Sequence, residues 1–98
     1  MTIKYSKKAS SDLEAIWQYT HERWSKEQAD RYVNLLFDEI DYISNHPFSG
    51  VDLGAMRHNY RQSKVKSHII FYKINSNQQN ITIMRILHEM MDLNEKLR

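Results

Sequence analysis

Six cations, Arg57, Arg61, Lys64, Lys66, Lys73 and Arg85, fall between Asp52 and Glu89, and that stretch contains no acid. His68 and His88 sit among them. Cations gathered in this way attract an acidic partner or a nucleic acid. The chain as a whole is nearly balanced, at +2, but residues 1–54 hold six Lys/Arg against nine Asp/Glu, whereas residues 55–98 hold eight against three. The competing reading is a solvated, charged strand face, common on small domains. His88-Glu89-Met90-Met91-Asp92 falls just short of the zinc motif H-E-x-x-H. It begins at the end of a strand-like run and finishes in Asp. No further His is placed to complete the three or four converging ligands that zinc needs. No metal and no cofactor are expected.

These groups hang on two β-type runs. Ser67-His68-Ile69-Ile70-Phe71-Tyr72-Lys73-Ile74 is followed by a polar turn and then by Ile81-Thr82-Ile83-Met84-Arg85-Ile86-Leu87-His88. Apolar residues occupy both faces of both runs, and such a sheet must be covered on both sides. Strict alternation puts Arg85 with Ile83 and Leu87 on one face, and His88 with Met84 and Ile86 on the other. The two line one pocket only if a bulge intervenes.

Two helices upstream can cover one face. Ser6 is placed to cap the first, although Ser11 with Glu14 also reads as a capping box. Ala9, Leu13, Ile16, Trp17, Thr20 and Trp24 recur at helical spacing, with Lys7, Asp12, Glu14, Gln18 and Glu22 on the wet side. Ser25-Lys26-Glu27-Gln28 is a second capping box, with Trp24 in the staple position. Ala29, Tyr32, Val33, Leu36, Ile40 and Ile43 form the stripe of the second helix, which Asn45-His46-Pro47 stops. Gly50 and Gly54, the two glycines, lie in the following loop, where positive φ is expected. Strands are expected at about 60–65, 68–74 and 80–87, after a short one at 2–5. The order predicts an α+β fold. An N-terminal strand and an antiparallel helical hairpin pack on one face of a three- to four-stranded antiparallel sheet, with a short C-terminal helical tail. The opposite face is expected to stand open for a partner.

At 98 residues this is one domain, residues 1–98. It has no cysteine, so disulfides and thiol chemistry are excluded. No run approaches the roughly 20 apolar residues of a membrane span, and Met1-Thr2-Ile3-Lys4-Tyr5 lacks an apolar signal core. A soluble cytoplasmic protein without membrane partners is expected.

The ordered set of motifs resembles the ParE/RelE superfamily of type II toxin–antitoxin toxins, and the ParE branch in particular. The matching pieces are Ala9-x-x-Asp12-Leu13-x-x-Ile16-x-x-Tyr19, Trp24-x-Lys26-x-Gln28-Ala29, Asn45-x-Pro47-x-x-Gly50 and Tyr60-Arg61. His68-Ile69-Ile70-Phe71-Tyr72 and Arg85-Ile86-Leu87-His88-x-x-Met91-Asp92 complete them. The resemblance implies a plasmid or chromosomal growth inhibitor that is held inactive by a ParD-like antitoxin and targets DNA gyrase. It implies no sequence-specific DNA binding without the antitoxin.

The RelE branch of the same superfamily cuts mRNA on the ribosome. That chemistry needs cations for the developing phosphate charge and an acid and base for the oxygens. If this chain were such a ribonuclease, it would offer Arg61, Lys64, Lys66, Arg85 and His88 for the reaction, with His68 in the same strands. A compact acid–base pair is not evident among them, so the expected mode is inhibition by binding, with no catalytic residues. Target contacts are then expected from Met90, Met91, Leu93, Leu97, Arg85 and His88, because flexible thioethers adapt to irregular surfaces. Packing of these residues against the sheet competes with that role. Antitoxin contacts are expected from the off-stripe aromatics Tyr19, Phe37 and Tyr42 and the cations Arg57, Arg61, Lys64 and Lys73. A third reading is a bare antitoxin-binding module without a target.

Overall fold

Ser6 ties the first helix to the last strand. Its hydroxyl oxygen accepts the Ala9 N–H at 2.9 Å, and its hydroxyl donates to the Met84 carbonyl at 2.7 Å. One short side chain thus caps a helix and fixes where that helix leaves the sheet. The computed structural model describes residues 1–91. Its elements are β1 (Thr2–Tyr5), α1 (Lys7–Arg23), α2 (Lys26–Asn45), β2 (Val51–Asp52), β3 (Tyr60–Val65), β4 (His68–Asn75) and β5 (Asn80–His88). Single 3-10 turns lie at Pro47–Ser49 and Ser76–Gln78. No helix among the described residues is long and apolar enough to cross a membrane. The expected C-terminal helical tail, with Leu93 and Leu97, lies outside the described residues.

The α+β arrangement follows the expected order, with a larger sheet. Five strands run in the order β1-β5-β4-β3-β2. β2, β3, β4 and β5 pair antiparallel in succession, whereas β1 pairs parallel with β5, Thr2 opposite Asn80 through Tyr5 opposite Ile83. A parallel pair cannot be closed by a tight turn, and here both helices and then β2, β3 and β4 intervene between the two strands. The two-residue β2 is too short to leave a periodic signal.

The main core lies between the helices and the sheet. Ala9 and Ile16 of α1 and Leu36, Ile40 and Ile43 of α2 pack on Ile70, Tyr72, Ile74, Ile81, Ile83 and Ile86. Each large aliphatic buried here contributes roughly 1.5–3 kcal/mol. Trp24 departs from the expected stripe: it stands 76% exposed at the inter-helix corner. The Trp17 indole N–H instead bridges the hairpin by donating to Asp30 at 2.9 Å.

On the opposite face Ile69, Phe71 and Leu87 form a second cluster with Leu53 packed against it. Phe71 and Leu87 are each only 1% exposed. This face is therefore closed at its centre, and the expectation of an open apolar underside is corrected. Strict alternation along β5 is also corrected. Phe71 pairs with Arg85, but Tyr72 pairs with Ile83, so Met84 is an extra residue in β5. This bulge lets Ile83 and Ile86 both enter the helix-side core while Leu87 joins Phe71 beneath.

Neither glycine has positive φ; that conformation occurs at Asn59, Lys66 and Gln79. Gly50 is required by proximity instead. A Cβ there would lie 2.7 Å from the Gln62 carbonyl and also collide with the Tyr72 hydroxyl.

Candidate functional site

The end of β5 projects past β1, and α1 closes that edge. Asp12 was expected on the wet side of its helix, but it lies on the buried one. Its Oδ1 and Oδ2 each accept from Arg85 at 2.9 Å, and Oδ2 also accepts the Ile86 N–H at 2.9 Å. Both side chains are largely withdrawn from solvent. The carboxylate thus stands in for a neighbouring strand. The hydrogen bonds that Arg85 donates to Asp12 raise its pKa against the opposing effect of burial.

Beyond this contact is a groove of about 430 Å³, lined by Asp12, Ala15, Ile16, Tyr19, Thr20, His68, Ile86, His88 and Met91. The volume suits a few side chains or a small ligand. At its inner end the His68 and His88 rings meet edge to face, centroids 5.2 Å apart. The β4–β5 register places them directly opposite one another. His68 Nδ1 shares a 2.6 Å hydrogen bond with the Tyr32 hydroxyl of α2. His88 Nδ1 accepts the Met90 N–H at 3.1 Å, which holds the chain after β5 in a turn.

Electrostatics separate the groups around this pair. Burial, and then the adjacent His88, hold the His68 imidazole below its usual range, partly countered by Asp12 and Glu89. Burial likewise raises the Tyr32 phenol, with a backbone hydrogen bond from Ser67 pulling it down and Glu89 pushing it up. Glu89 is held low by its hydrogen bond to Lys64, whose ammonium lies 2.6 Å away.

The groove brings together Tyr19, His68, His88 and Met91 from the sequence-derived candidates, and adds Asp12 and Thr20. Met90, beside it, is 83% exposed. Other candidates lie elsewhere. Arg61 donates to the Phe48 and Gly50 carbonyls at 3.2 and 2.8 Å, and its guanidinium lies 5.1 Å from the Phe48 ring centre. It organises the loop before β2. Arg57 lies over Tyr60, Lys73 pairs with Tyr60 across β3–β4, and Lys66 occupies the β3–β4 turn. Phe37 and Tyr42 are exposed on α2, but a five-residue separation turns them about 140° apart on a helix. Among the described residues no group of three or more His, Asp or Glu is placed to hold a metal.

Asp12 and His68 were the informative residues that spacing alone undervalued. Asp12 follows Ala9 by three and precedes Ile16 by four, so it shares their stripe. A charge on an apolar stripe signals a partner inside the fold.

Sequence and fold comparisons agree with the overall architecture. The model of the family described as ParE toxin of type II toxin-antitoxin system, parDE, matches residues 3–93. Toxin ParE1 of Caulobacter vibrioides is 35% identical over 89 residues, covering 91% of this chain and 90% of that protein. Toxin ParE1 of Mycobacterium tuberculosis is 34% identical over 99 residues, covering 99% and 100%. A chain of the chromosomal ParDE system of P. aeruginosa superposes with a TM-score of 0.76 at 19% identity, covering 90% of this chain and 95% of that one. The isolated E. coli RelE toxin superposes at 0.63 with 9% identity, over 98% and 93%. These two likenesses speak to the fold alone, but the sequence matches span almost every element described above, from β1 to the turn after β5. The chain belongs to the ParE family of type II toxin–antitoxin toxins.

Proposed function

We propose that this ParE-family toxin works by binding rather than by cutting: it inhibits DNA gyrase through a protein surface, in the cytoplasm, and is neutralised by a ParD-like antitoxin. The observation that carries this reading is how the cations of a would-be ribonuclease are used. Arg85 is engaged by Asp12, Arg61 by the 48–50 carbonyls and Lys64 by Glu89. Arg61 holds the loop before β2, whereas Arg85 and Lys64, on either side of the His68–His88 pair, are each matched by an acid, so none is left as a dedicated phosphate contact. We assign the target-facing surface to the exposed turn after β5, with Met90 and Met91 at its centre and His88 beside them, and keep Leu93 and Leu97 as target contacts on sequence grounds alone. We assign the antitoxin surface to the groove and its Tyr19 wall, because an apolar trough beside a helix receives an amphipathic segment.

The test is a supercoiling assay with purified gyrase beside a translation assay with ribosomes. Inhibited supercoiling with trapped, cleaved DNA supports the reading; mRNA cut on ribosomes with gyrase untouched overturns it. One feature favours the RelE-type alternative: two imidazoles in contact can divide the roles of acid and base. Loss of mRNA cutting in both His68→Asn and His88→Asn would establish that alternative.

A further inference from the structure

The walls and base of the groove differ in chemistry. Ala15, Ile16, Ile86 and Met91 make the walls apolar, and most polar groups nearby already have partners. Asp12 holds Arg85 and the Ile86 N–H. The Thr20 hydroxyl donates to the Ile16 carbonyl at 2.8 Å. Glu89 holds Lys64. The two imidazoles retain capacity. Because His88 Nδ1 accepts the Met90 N–H, the neutral ring carries its proton on Nε2. His68 uses Nδ1 toward Tyr32 and keeps its other nitrogen. The His88 arrangement disfavours a metal, since a ligating histidine normally donates through its second nitrogen. It favours an acceptor, and a carboxylate above all.

We propose that this groove receives an apolar side chain accompanied by a carboxylate, from an acidic segment of the antitoxin, and that the His68–His88 pair takes up a proton as the carboxylate arrives. The proposal rests on the antitoxin reading above and specifies its chemistry. The imidazole nitrogens that the Tyr32 and Met90 hydrogen bonds leave over, set among apolar walls, carry it. The titratable and charged groups around the pair are Asp12 with Arg85, Tyr19 on α1, Tyr32 on α2, Lys64 on β3 and Glu89 after β5. The two acids among them are each matched to a cation. An incoming carboxylate is therefore a new anion, placed beside the His68 ring, whose pKa burial and then the neighbouring His88 hold below its usual range. Desolvated by the apolar walls, it favours the imidazolium form, and binding and protonation reinforce one another.

The probes are 4-phenylbutyrate and its uncharged counterpart 4-phenyl-1-butanol, titrated into nitrogen-15-labelled toxin and followed by NMR. Phenylbutyrate is expected to shift the amides of Ile16, Thr20, His68 and His88. It should bind about three- to tenfold more tightly near pH 6 than near pH 8, as expected when one imidazole pKa rises by up to one unit on binding. Imidazole nitrogen shifts should report that rise directly, while the alcohol binds alike at both pH values. No shift at the groove, or the same pH profile for both probes, overturns the proposal. Calorimetry of the antitoxin complex in two buffers of different ionisation heat then tests the occupant. Net proton uptake near neutral pH that falls in His68→Asn and His88→Asn supports it. Tight antitoxin binding without proton exchange overturns it. Absence of antitoxin binding alongside the expected phenylbutyrate behaviour overturns the antitoxin reading and leaves the chemistry of the groove supported.

Discussion

Asp12 and Arg85, 73 residues apart, form a two-point ion pair whose carboxylate also holds the Ile86 N–H. The arrangement replaces a missing strand neighbour at the β5 edge. Removing the acid leaves a partly buried guanidinium and a backbone donor without that partner, whereas removing both charged groups relieves much of the cost. Asp12→Ala should lower stability by about 2–3 kcal/mol. The Asp12→Ala/Arg85→Ala double variant should be clearly less unstable than the sum of the single variants. Urea unfolding midpoints of all four proteins check this; strict additivity would show that the pair is not coupled.

Tyr72 makes an analogous bond between distant segments. Its hydroxyl donates to the Pro47 carbonyl at 2.8 Å and accepts the Gly50 N–H at 3.0 Å, pinning the loop after α2 to the middle of the sheet. Tyr72→Phe leaves the ring packed and removes the hydrogen bonds of the hydroxyl, a loss of about 1–2 kcal/mol. Gly50→Ala places a methyl against the Gln62 carbonyl and should cost about 1–3 kcal/mol by overpacking. Thermal unfolding of each variant measures both effects. An unchanged Gly50→Ala midpoint would mean that β2 and β3 separate without strain.

The helices and the three long strands were legible because each carries its own local signal. Ser6 and Ser25 cap where their side chains suggest, and α2 ends at Asn45 ahead of Pro47. Leu36, Ile40 and Ile43 are all fully buried, as their stripe implies. What escaped the sequence depends on distant partners. The Met84 bulge arises from how β4 and β5 pair, and alternation along one strand cannot encode it. The closed underside depends on Leu53, a loop residue with no periodic neighbours. The groove was half visible: His88 and Tyr19 stood out by type. His68 gained its importance only once β4 set it opposite His88 and α2 brought Tyr32 to it.

Trp24 and Met90 are the most exposed large apolar side chains among the described residues, at 76% and 83%. Neither contributes much buried area, so Trp24→Ser and Met90→Ser should each change stability by no more than about 0.5 kcal/mol. Effects on partner binding would then be separable from effects on folding. Met90→Ser is expected to weaken gyrase inhibition at least about tenfold, the scale of a modest hot spot of 1–2 kcal/mol. Inhibition at wild-type strength by the folded variant would remove Met90 from the target surface.

Stability should fall as the solution is acidified below about pH 6.5, and His68 is the source. Its folded pKa is lowered, first by burial and then by His88. Above the unfolded value both states carry a neutral ring and the native state keeps its full stability. As pH falls through that value the unfolded chain takes up a proton that the native ring resists, so unfolding gains until the folded pKa is passed. The slope is bounded by about 1.4 kcal/mol per pH unit for one proton, and solvent reaching the ring makes it shallower. Between about pH 6.5 and pH 5 the carboxylates held low by neighbouring lysines, Asp30 by Lys26 and Glu89 by Lys64, remain ionised and do not contribute. His68→Gln should therefore flatten the profile in that window even if its stability near pH 8 is lower. Urea midpoints across that range decide the point: an equal slope in wild type and variant would assign the acid sensitivity to another group.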